Sequence, residues 1–118
     1  MVMSFSNQTA LNYLLSNKFV YTFRKHKRKR VGKNWINAGR TLPKIADVNI
    51  RFIREVTNEM DLFAYAKDSG FNTLIRWIFA IESFLLLKHR MVKPVEGYLY
   101  KVELASTIFN IDNGWIKE

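Results

Sequence analysis

Between Lys18 and Lys44 the chain places ten lysines and arginines and no acid, and the densest run is Arg24-Lys25-His26-Lys27-Arg28-Lys29-Arg30. Cations at this density suit a polyanion, because each phosphate they neutralise also releases condensed counterions. The same stretch interleaves its charges with His26, Asn34, Trp35 and Asn37. An exposed ring beside cations is what single-stranded nucleic acid binding requires, since bases stack on the ring while cations follow the backbone. The candidate phosphate contacts are Arg24, Lys25, Lys27, Arg28, Arg30, Lys33, Arg40 and Lys44, with Trp35 as the candidate base support. Trp35 has a second reading, as a core tryptophan plugging the open end of a sheet. Tyr21 and Phe23 read as core.

Catalytic chemistry has fewer carriers. Lys33, which follows Gly32, becomes a base or nucleophile if burial lowers its pKa, and Asp47 could then orient it. Gly32-Lys33 lacks the upstream glycine of a phosphate-binding loop. The absence of cysteine excludes disulfides, thiolate metal sites and cysteine catalysis together, and the two histidines, His26 and His89, are too scattered for a metal centre. No cofactor is expected. His89, between Lys88 and Arg90, reads as a cation complementing a helix C-terminus.

The elements that position these residues come from 118 residues, 48% of them hydrophobic and 14% aromatic, with five glycines and two prolines. This is the composition of a folding chain and the length of one domain, so residues 1–118 are expected to form a single unit with its core at about 17–104. The formal charge of +9 is unevenly spread: residues 1–54 carry twelve Lys/Arg against Asp47 alone, or +11, and residues 55–118 sum to −2. Leu74–Leu87, the most apolar run, has 14 residues and includes Arg76 and Glu82, too short and too charged to span a bilayer. The first fifteen residues lack a positive n-region, so no signal peptide is expected and the protein reads as cytoplasmic, without a membrane partner.

Periodicity supplies the order. Ser6 or Asn7 caps a helix with Ala10, Leu11, Leu14 and Leu15 on one stripe. Residues 19–24 alternate as a strand that could run to Arg30, and Gly32–Pro43, with Asn34, Asn37 and Gly39, reads as a loop. Residues 45–56 form the clearest strand, with Ala46, Val48, Ile50 and Phe52 on one face. Thr57 or Asn58 caps a helix from Glu59 that Gly70 stops. Asn72 caps a second helix predicted to be buried nearly all round, Ile75, Ile78 and Ile81 included. Residues 98–104 form a second reliable strand, and Ile108–Glu118 is a short strand or a loose tail.

Three pieces of this order resemble the ASCH family of the PUA-like superfamily: Gly32-Lys33 followed by Arg40; the strand Lys44–Ile53; and Asp61–Phe71 followed by a helix containing Trp77. The resemblance implies an α+β fold, a small PUA-like β-barrel with flanking helices, and RNA-related binding beside the Gly-Lys loop. For the members described as amidohydrolases on acylated cytidine, it implies an activated lysine, here Lys33. The leading expectation is a nucleic-acid-binding domain, RNA before DNA, using residues 24–44. The alternative is an ASCH-type nucleoside amidohydrolase.

Overall fold

The computed structural model describes residues 2–39, 41–89 and 96–105. Its elements are β1 (Val2–Ser4), α1 (Gln8–Asn17), β2 (Phe19–Arg24), β3 (Gly32–Asn37), β4 (Lys44–Val56), a 3-10 helix (Glu59–Asp68), α2 (Leu74–His89) and β5 (Gly97–Leu104). The five strands form one curled, half-barrel sheet in the order β1-β3-β4-β5-β2. All neighbours are antiparallel except β1, which joins β3 in parallel. The architecture is a small α+β fold. Among the described residues no helix is long and apolar enough to cross a membrane.

Local chemistry sets the element ends. The Asn7 side chain accepts from the Ala10 N–H at 3.1 Å, and Lys18, at φ 78°, closes α1 by donating its N–H to Leu14 O. Asn58 caps the next segment, accepting from the Met60 N–H, while the Asp61 carboxylate accepts from the N–H groups of Thr57 and Asn58. That capping was expected, but the segment winds as a 3-10 helix. Gly70, at φ +94°, ends it; a Cβ there would press on Tyr13 Cβ and Ala10 Cα at 3.1 and 3.2 Å. The N-cap of α2 is Thr73 rather than Asn72: the Thr73 Oγ1 accepts from the Arg76 N–H, while Asn72 is held at φ 69°.

Two cores share the sheet. One face carries Met3, Val20, Ile36, Ala46, Val48, Ile50, Tyr100 and Val102, closed by Phe5 and by Leu11 and Leu14 of α1. The other face carries Leu99 and Val56, covered by Leu62 and Ala66 of the 3-10 helix and by Trp77, Ile78, Ile81 and Leu85 of α2. Tyr21 and Phe23 are half-buried against this second core.

Three expectations are corrected. The basic run does not continue β2, which ends at Arg24. Gly32–Asn37 is a strand, because its backbone pairs with β4 along its whole length and with β1 from Trp35 to Asn37, while the amide groups that look like breakers find local acceptors: Asn34 Nδ2 donates to Gly32 O and Asn37 Nδ2 to Leu42 O. Finally, α2 buries one side only. Ile75 and Phe79 are 81% and 71% exposed, so a predominantly apolar sequence does not make this helix an all-buried one. The expected element at Ile108–Glu118 lies outside the described residues.

Candidate nucleic-acid interface

The loop 25–31 joins β2, an edge strand, to β3, which lies next to the opposite edge, so it must cross the mouth of the curled sheet. Arg28 marks the crossing. Its N–H donates to the Tyr100 hydroxyl of β5 at 2.7 Å, and its guanidinium reaches Asn34 Oδ1 of β3 at 3.4 Å and Val2 O of β1 at 3.5 Å. Arg24 ties the same seam from the end of β2. Its Nη1 donates to Ser4 O at 2.9 Å and its guanidinium carbon stands 4.9 Å from the Phe5 ring centroid. The two edge strands therefore approach within the span of one arginine side chain.

These two arginines occupy a costly environment. Arg24 is half-buried with its Nε enclosed and without a hydrogen-bond partner among the described residues. Burial first, and then the charge of Arg28, push its pKa down to about 10, with Tyr100 acting the other way. Burial likewise lowers the pKa of Arg28. Neither forms an ion pair with a described carboxylate; the ion pairs there are Lys44–Asp47, Arg51–Glu103, Arg54–Asp61 and Lys101–Glu103. Their guanidinium donors reach neutral oxygens, the backbone carbonyls of Ser4, Val2 and Arg30 and the Asn34 amide, and so tie β1, β2 and β3 together.

The remaining cations divide. Lys27, Lys29 and Arg30 are exposed on the loop and Lys25 is half-buried at its start, and none of the four is ion-paired to a described residue. Lys33 is exposed on β3, opposite Asn49. Trp35 is half-buried on the same side of the strand, between Val2 and Asp47. Lys44 sits at the far end of the β3–β4 pairing and binds Asp47 at 2.6 Å, so Asp47 orients Lys44 rather than Lys33. Arg40 lies outside the described residues. The predicted set is thus two seam arginines, a loop cluster and dispersed outliers.

Sequence reading missed the aromatic side of this mouth. Phe52 and Tyr100 meet edge to face with centroids 5.6 Å apart, Tyr98 lies 6.5 Å from Phe52, and the Lys27 ammonium stands 5.5 Å from the Phe52 ring centroid. Alternation had placed Phe52 in the core, yet it is 39% exposed. The signal was the length mismatch: β4 runs 13 residues and β3 only six. β3 begins where Gly32 pairs with Ile50, so Phe52 has a strand neighbour on the β5 side alone. Among the described residues no group of three His, Cys, Asp or Glu could hold a metal ion. No family model, curated protein or solved structure matches the chain.

Proposed function

We propose that the protein binds nucleic acid through the loop 25–31, with Lys25, Lys27, Lys29 and Arg30 engaging phosphates and Arg24 and Arg28 holding the loop across the sheet. The observation that carries this reading is the cluster of four cations without described acidic partners, on a segment anchored at both ends and at its middle. An anchored loop loses little conformational entropy on binding, so its Coulomb attraction is not offset by ordering. Lys33, exposed on β3, adds a fifth cation to this proposal. The preference for RNA, and a PUA-like identity for the curled sheet, rest on the resemblance to the ASCH family.

The test is a salt titration with a labelled 20-mer. Four or five neutralised phosphates should give a slope of log affinity against log salt of about −3 for a single strand. The triple variant Lys25→Ala/Lys27→Ala/Arg30→Ala should flatten it by about two units. A wild-type slope near zero would remove the proposal.

A further inference from the structure

We propose that Phe52 is a base-stacking platform that makes the loop site selective for single strands; this rests on the nucleic-acid reading of the loop. The geometry begins with the overshoot of β4. Beyond Ile50 β4 has no β3 beside it, and its register with β5 shifts between Phe52 and Arg54, an irregularity of the kind that re-aims a side chain, just where the ring emerges. Tyr100, wholly buried, and Tyr98, half-buried, brace Phe52 from β5. A ring face is left toward the loop, where it meets the exposed Lys27 ammonium.

That contact has the character of a placeholder. An ammonium over a ring at an exposed site is held only weakly. A nucleobase offers the ring more contact, and Lys27, displaced from the ring, remains within its own side chain's reach of the adjoining phosphates. In a duplex both faces of a base are already stacked on its neighbours, so the platform has nothing to receive. The backbone cations attract either form of nucleic acid; the ring distinguishes between them.

The experiment measures anisotropy of a labelled 20-nucleotide oligo-U and a mixed-sequence 20-base-pair duplex at two salt concentrations, with wild type, Phe52→Leu and Phe52→Trp. Phe52→Leu keeps apolar bulk and removes the ring. It should weaken oligo-U binding by on the order of tenfold, leave the salt slope unchanged because stacking displaces no counterion, and leave duplex affinity unchanged. Phe52→Trp should retain oligo-U affinity and show fluorescence quenching on binding beyond that of wild type, a readout that holds even if the leucine variant folds poorly. Salt-dependent wild-type binding with an unaffected Phe52→Leu, an equal loss for oligo-U and duplex, or no added quenching in Phe52→Trp would overturn the platform while leaving the basic loop in place. Absence of wild-type binding to either probe would overturn both.

Discussion

Arg24 and Phe52 exchange the roles that their residue types suggest. A cation in a basic run reads as a surface charge, and an apolar residue in phase with Val48 and Ile50 reads as core. Yet Arg24 closes the sheet onto Ser4 and Phe52 faces outward beside Lys27. Arg24→Ala should therefore act on stability: it removes a charge-assisted bond to Ser4 O at a part-buried seam, at a cost of about 1–3 kcal/mol, read as a lower urea midpoint, with the salt slope of any oligonucleotide binding intact. A mutant as stable as wild type, with a flattened slope, would return Arg24 to the phosphate contacts. Tyr13 gives a residue-scale prediction in pH. Its hydroxyl donates to Asp68 Oδ1 at 2.6 Å, and this bond, then burial and the Asp68 charge, raise its pKa from 10 to about 12. A pKa raised on folding means stability that is complete below pH 10 and lost as pH climbs from 10 to 12. The stability difference between wild type and Tyr13→Phe should fade across that window, as followed by urea unfolding at fixed pH; a difference constant from pH 8 to 12 would contradict it. Sequence could not reveal either partner, since Ser4 lies 20 and Asp68 55 positions away along the chain.

At the scale of elements, α2 separates what a pattern contains from what the fold uses. Ile75 and Ile78 are chemically identical and one helical turn apart, but one is 81% exposed while the other packs with Trp77 and Leu62. Ile78→Ala should cost on the order of 2–4 kcal/mol by leaving a cavity, whereas Ile75→Ala should stay within about 0.5 kcal/mol. Equal losses in urea denaturation would restore the all-round burial that the sequence predicted. The strands β4 and β5 were legible because their alternation coincides with burial in the core closed by α1. β3 was not: its Gly and Asn residues carry a loop's composition, and it is their long-range backbone pairing with β4 and β1 that makes them strand residues. β1 has three residues, too few for any period. The basic loop was legible as charge, but its anchorage was not, because a count of cations does not record which of them hydrogen-bond to carbonyls.

For the molecule as a whole, β5 is the decisive strand. Its neighbours Leu99 and Tyr100, each with no exposed surface, point to opposite faces and enter different cores. Strand order is a property of long-range pairing, and no local pattern placed β5 between β4 and β2 or β1 beside β3. With β5, and β4 beside it, lining both cores, neither core can be lost without exposing apolar surface of the other. Gly97 tightens this coupling: a Cβ there would meet Arg24 O at 2.5 Å and Phe23 Cζ at 2.6 Å, so β5 and β2 close on each other where the seam begins. The consequence is cooperative unfolding across both layers, the all-or-none behaviour usual for one small domain. Leu14→Ala, in the first core against α1, should cost about 2–5 kcal/mol. If the cores are one cooperative unit, its urea midpoint should fall equally by far-UV circular dichroism and by the fluorescence of Trp77, which lies in the second core, measured with Trp35 and Trp115 replaced by Phe in both proteins. A Trp77 transition that stays at its original midpoint while the dichroism shifts would mean that the sheet carries two separable layers, and that the mouth built on the first core can open without disturbing the second.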